Sequence, residues 1–117
     1  MSYVDGYVLA VPKKKLKAYT AMAKIGEKLW LKHGALEYKE CAGDDLKVKW
    51  GLPFTSLMKT KPGETVIFSF IVFKSRAHRD SVNTKVMKAM EKEEPPKDMP
   101  FDMKRMAYGG FKTIVGG

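Results

Sequence analysis

An α+β fold with one four-stranded antiparallel sheet and two helices on one of its faces is the class this sequence predicts, on three observations. Hydrophobic residues follow a strand-like pattern in four stretches and helical spacing in two others. These stretches come in the order strand, helix, strand, strand, helix, strand, which is that of the ferredoxin-like split βαβ (βαββαβ) arrangement. At 117 residues and 44% hydrophobic content, the chain fits a single domain, 1–117, with its own core.

Residues 3–11 (YVDGYVLAV) are rich in β-branched and aromatic side chains and end at Pro12, which marks the first strand. Pro12 opens a helix over 13–33, in which Leu16, Tyr19, Met22, Ala23 and Trp30 recur at helical spacing with Gly26 among them; Gly34 follows at a natural C-cap position. Residues 35–42 (ALEYKECA) read as the second strand, with Leu36, Tyr38 and Glu40 on one side and Glu37, Lys39 and Cys41 on the other. Residues 43–63, with Asp44, Asp45, Pro53 and Pro62, make a loop long enough that it is expected to fold over something. The strongest strand pattern is 64–74 (ETVIFSFIVFK). Ser75 beside it is a good N-cap for a second helix reaching about Met90, with His78, Val82, Val86 and Ala89 toward the core. A charged, proline-containing connector (EKEEPPKDMP) leads to the last strand, 105–115. There Gly109 and Gly110 suggest a bulge or a close backbone approach, and Gly116 and Gly117 form the tail.

The net charge is +9 with a pI near 9.6, which raises the question of nucleic acid. All but Arg76, Arg79 and Arg105 of the 22 basic residues are lysines, and they are scattered as on a solvated surface rather than clustered. The single cysteine, Cys41, has no partner for an internal disulfide, and the N-terminus enters a strand pattern without a signal core; both favour the cytoplasm. The longest apolar run, 66–73, falls far short of the roughly 20 residues a bilayer span needs, so no membrane association is expected.

The third strand is apolar on both sides: Val66, Phe68, Phe70 and Val72 point one way, Ile67, Ile71 and Phe73 the other. Two helices cover only one face. Leaving the other in water forgoes roughly 1.5 to 3 kcal/mol for each large side chain, so a second copy of the chain is expected to cover it as a twofold homodimer. The loop 43–63, with Trp50, Leu52, Phe54 and Leu57, is the competing cover.

No GxSxG elbow, phosphate loop, dinucleotide fingerprint, HExxH, CxxC or paired-histidine helix occurs, so no cofactor is implied, and the two histidines and one cysteine lack ligand spacing for a metal. Polar residues on strands remain. Asp5 lies mid-strand on the side of Tyr3, Tyr7 and Leu9, as a hydrogen-bonded structural carboxylate or as a proton acceptor. Ser69 interrupts an apolar strand, as a small filler or as a pocket hydroxyl. His33 suits a helix C-cap, and Cys41 reads as a buried small hydrophobe rather than a nucleophile. His78 sits in the first turn of the second helix close to Arg76 and Arg79. Together with Ser75 they make the best anion site the chain offers, although a structural histidine and an Arg79 paired with an acid remain the alternative.

The segments YVDGYVLAVP, HGALEYKEC, ETVIFSFIVFKSRAHRDSVNTKVM and MPFDMKRMAYGGFKTIV together resemble the YbaA-like family, a bacterial family of unknown function. The likeness covers almost the whole chain, and the KSRAHRD run and the FD-KRM-YGGF run are its most distinctive parts; MKAMEKEEPP departs from the pattern. The resemblance implies the dimeric α/β-barrel superfamily, with monooxygenases and isomerases among its members, but no transferable catalytic set. Two functions are therefore weighed. One is a small-molecule binder or enzyme for an apolar or anionic compound, using Tyr3, Asp5, Tyr7, Ser69, His78, Arg79 and Tyr108, with Asp5 or His78 as proton acceptor and Arg76 and Arg79 toward an anion. The other is a non-catalytic partner of RNA or protein through the lysine-rich surface. RNA is the weaker of the two, because the sheet lacks the aromatic signature of an RRM and is hidden in a dimer.

Overall fold

The computed structural model describes residues 1–93 and 99–116. Its elements are β1 (Tyr3–Pro12), α1 (Leu16–Lys32), β2 (Glu37–Ala42), a short α2 (Phe54–Leu57), β3 (Glu64–Phe73), α3 (Arg76–Met90) and β4 (Ala107–Lys112), with 3-10 turns at Lys13–Lys15 and Met103–Arg105. The six expected elements are present; α2 and the two tight turns are additions to them. Of the proline-containing connector, residues 94–98 lie outside the described residues, as does Gly117 of the tail.

The sheet order is β2-β3-β1-β4, every neighbouring pair antiparallel. β1 and β3 pair along their full lengths, from Tyr3 opposite Phe73 to Pro12 opposite Glu64. Strand alternation then divides the sheet cleanly. Leu9, Val11, Ile67, Ile71 and Phe73 face α1 and α3, which both lie on this side, and they pack with Tyr19, Val82 and Val86. Val4, Val8, Phe68, Phe70 and Val72 point the other way.

Local chemistry explains the ends of the helices. Lys13–Lys15 wind into a 3-10 turn instead of the first α turn, with no side-chain cap at Lys15, and the Lys13 amide donates to the Gly63 carbonyl (2.8 Å). At the other end of α1, Gly34 adopts φ +114°, letting the Ala35 amide return to the Trp30 carbonyl (2.9 Å). Ser75 caps α3 as expected, its Oγ accepting from the His78 amide at 3.1 Å.

Two expectations need correction. β4 is shorter than 105–115, because Asp102 caps a tight turn through Arg105 before the strand begins. Its register with β1 runs unbroken through Gly109 and Gly110, so the close approach is present and the bulge is not. Cys41 is exposed rather than buried, because it points away from the helices at a sheet edge.

The loop does fold over the sheet, but over one end only. α2 packs on β3 with Phe54 edge-on to Phe68 (ring centroids 6.3 Å), Met58 is buried, and the outward-pointing Ala10 and Val66 are covered. Beyond that end the face is open: Phe68 is 45% exposed, and Phe111, lying over Gly6, is 61% exposed.

Arg105 grips Glu64 with two nitrogens, at 2.9 and 2.5 Å, joining the start of β3 to the approach to β4. The Arg105 hydrogen bonds hold the Glu64 carboxyl at about 2, against its usual 4.5. The folded value lies below the unfolded one, so the pair stabilises the fold above pH 4.5, and that contribution disappears as pH falls from 4.5 through 2. In urea unfolding, the stability gap between the parent chain and Glu64→Gln should shrink as pH is lowered across this window. A gap that stays constant would refute the pair's role.

Candidate functional site

Register places two polar rows across the helix-facing side of the sheet. Glu40, Ser69, Tyr7 and Tyr108 lie opposite one another across all four strands, and Tyr38, Ile71, Asp5 and Gly110 form the next row. Side chains of directly opposed residues stand on the same face within contact distance. A buried strand surface thus carries two carboxylates and several hydroxyls where apolar side chains are the rule.

Asp5 is fully buried. Its Oδ1 accepts from Arg79 Nη1 at 2.7 Å and its Oδ2 from Asn83 Nδ2 at 3.2 Å, while Asn83 Oδ1 accepts from Trp30 Nε1 at 2.9 Å. One carboxylate therefore ties β1 to α3 and, through Asn83, to α1. Arg79 also donates from Nε to Asp80 Oδ1 (2.7 Å) and lies 5.0 Å from the Tyr3 ring centre. Burial alone would weaken its charge, but the bonds and fields of Asp80 and Asp5 override that and hold the guanidinium more firmly protonated than usual. Gly110 makes room for this: a Cβ there would stand 2.5 Å from the Tyr3 hydroxyl and 2.9 Å from Arg79 Nη1.

Glu40 organises the other end of the rows. Its Oε1 accepts from the Tyr19 hydroxyl and its Oε2 from the Tyr38 hydroxyl, each at 2.6 Å. Burial, and then the Glu40 carboxylate itself, raise the pKa of both phenols, so they stay protonated and donating. These groups border a cavity of about 200 Å³ between α1 and the sheet, with Tyr7, Trp30, Ser69 and Ile71 among its walls and Met22, Met90 and Met106 closing it. Gly26 lets α1 come this close, since a Cβ would meet the Tyr38 oxygen at 2.9 Å. Tyr7 stacks on Tyr108 at 4.7 Å, and burial followed by the field of Asp5 raises its pKa. Ser69 is almost wholly buried, and its hydroxyl engages no side chain among the described residues.

The structure thus brings Tyr3, Asp5, Arg79 and Tyr108 together and sets Tyr7 and Ser69 in the cavity wall beside them. Of the first turn of α3 only Arg79 joins that group, and the turn forms no open anion site. Arg76 is exposed, Arg79 folds inward onto two acids of its own chain, and His78 Nδ1 accepts from the Lys74 amide (3.0 Å) while its ring meets Phe73 edge-on. His33 stands at the C-cap of α1. Sequence reasoning did not select Glu40, Tyr19, Tyr38, Trp30 or Asn83 as site residues. Glu40 sharing a strand side with Tyr38 was the available signal.

The sequence profile of a family described as "Protein of unknown function (DUF1428)" matches residues 2–103. The chain belongs to this family. The protein named "Uncharacterized protein YbaA" of Escherichia coli (strain K12) is 41% identical over 115 residues, covering 98% of each chain, and so is the protein of the same name from Shigella flexneri. No activity is stated in the family's description or in these names, so roles are argued from geometry.

Removing Arg79 leaves a buried carboxylate without its cation, the costly way to break such a pair. Arg79→Met should lower unfolding stability by about 3 to 5 kcal/mol, and adding Asp5→Asn should restore part of that loss. Strictly additive losses in urea unfolding would show that the pair is not coupled.

Proposed function

We propose that this family member is a small-molecule-binding protein whose ligand occupies the cavity between α1 and the sheet. One observation carries the reading: a cavity of about 200 Å³, walled by aromatic and methionine side chains, on which a few polar groups converge at Glu40 and Ser69. Pockets for small organic ligands have this make-up, and an apolar protein cavity of about 150 Å³ is known to admit benzene, so a single ring with a short substituent suits the volume. An enzymatic role of monooxygenase or isomerase kind rests on analogy of fold alone.

The proposed assembly is a homodimer of ferredoxin-like chains, a dimeric α/β barrel. The order of the six principal elements and the gathering of α1 and α3 on one face support the chain fold. The open outer face, with Phe68 only partly covered by α2 and Phe70, Val72 and Phe111 on the same side, supports the pairing, because a second copy supplies a surface of matching apolarity. Among the described residues no helix is long and apolar enough to cross a membrane. The free, exposed thiol of Cys41 is at home in a reducing compartment, which supports a cytoplasmic location.

Benzyl alcohol should raise the melting temperature of the parent chain to the same extent at low and high salt, because no ion is released when an apolar cavity fills. Ala23→Phe, which blocks the cavity from α1, should abolish the shift. A shift that survives this substitution places the ligand elsewhere. For the assembly, Phe68→Asp puts an unpaired charge on the outer face and should convert a dimer to a monomer in light scattering, whereas Ile71 faces the core and is no test of pairing. A parent chain that is monomeric at micromolar concentration refutes the dimer.

A further inference from the structure

We propose that the cavity selects a ligand bearing a protonated amine, with Glu40 as its counter-ion and the surrounding aromatic rings as its walls. This rests on the cavity being a ligand site and adds the chemical class of the ligand.

Among the described residues three carboxylates are not exposed: Asp5, Glu64 and Glu40. Asp5 holds Arg79 and Glu64 holds Arg105. Glu40 has no cation within ion-pair distance among the described residues, in a chain with 22 lysines and arginines against 13 acids. Two neutral phenols solvate it instead. Such hydrogen bonds stabilise the carboxylate, but they leave its unit of charge uncompensated beside an apolar space.

Tyr19 and Tyr38 each have one hydroxyl proton, and both are spent on Glu40. Toward the cavity these phenols therefore present lone pairs only, as does the carboxylate. The Ser69 hydroxyl is free to turn either way. Around Glu40 a ligand is thus met mainly by acceptors and gains most by bringing donors, with the Tyr7 and Ser69 hydroxyls of the same wall able to give or to accept. An ammonium group brings three, together with the missing positive charge, whereas a carboxylate or phosphate is repelled by the Glu40 charge.

The walls suit the same cation. Trp30 and Tyr38 stand 5.9 Å apart, centre to centre, and Tyr7 and Tyr19 border the same space. Aromatic faces attract cations, and partly desolvated ammonium ions gain most from them. Leu9, Ile71 and Met106 line the remainder and suit an apolar body. A surface groove bordered by Thr20, Lys24 and Glu27 reaches Glu40 and Tyr38 from the other side. Lys24 is exposed there and makes no ion pair with Glu40.

Three probes of one size decide the question: benzylamine, benzyl alcohol and benzoate, titrated calorimetrically into the parent chain and Glu40→Gln at neutral pH. Benzylamine should bind the parent at least about tenfold more tightly than benzyl alcohol, with benzoate the weakest. Glu40→Gln keeps the volume and removes the charge. It should remove that advantage and leave benzyl alcohol binding nearly unchanged, which also shows that the variant has kept its pocket. Should the variant fail to fold, the order of the three probes on the parent chain decides alone. Equal affinity for amine and alcohol, or an amine preference untouched by Glu40→Gln, overturns the amine assignment while the cavity reading stands. Binding of none of the three overturns both.

Discussion

The register between β1 and β3 is the constraint on which everything else depends. Ten consecutive residue pairs join two segments separated by half the chain, and each pair commits its side chains to one face or the other. Because the pleat has period two, a slip of one residue would turn Asp5, Tyr7 and Ser69 outward relative to their partners and bring phenylalanines in beneath the helices. The apolar residues exclude this. Leu9, Val11, Ile67, Ile71 and Phe73 are buried together in the observed pairing, which any one-residue slip would break, and the polar residues between them are carried into the interior as a consequence.

That interior solves the same electrostatic problem in two ways. At Asp5 the solution is complete within the chain: a guanidinium, an amide and an indole N–H in series link β1, α3 and α1 into one block. At Glu40 it is partial, using neutral donors that leave room and charge on the cavity side. Tyr7 lies between them in the lattice of the sheet, where burial first and then the fields of Asp5 and Glu40 hold its phenol in the neutral form against the opposing pull of Arg79. The rigid network and the open one share a wall.

Much of the fold was legible because it depends on local pattern. Alternation in 3–11 and 64–74, the helical spacing of Leu16, Tyr19 and Met22, the Ser75 cap and the Gly34 stop are each readable within a few residues. The site was legible only in part, because its contacts are long range. Asp5 and Arg79 both stood out as polar residues, but 74 positions separate them, and although Val82 and Val86 follow Arg79 at i+3 and i+7 on the core side of α3, that spacing does not name Asp5 as the group beneath it. The turn at 75–79 therefore looked like an open anion site. Glu40 was visible beside Tyr38 on one side of a strand, whereas Tyr19 comes from 21 residues upstream on a helix whose rotation is set by packing. Cys41 was misplaced for a related reason: strand alternation gives two sides and does not say which of them the helices will cover.

Gly26 carries a consequence for how such a pocket changes over time. A Cβ at this position of α1 would stand 2.9 Å from the Tyr38 oxygen, so the distance between helix and sheet there depends on a missing side chain. Each methyl group added at this position must lift the helix or push the phenol aside, altering the depth of the chamber and the aim of the carboxylate together. Chamber size and charge placement are therefore inherited as one trait, adjustable at a single helical position without touching the residues that bear the chemistry.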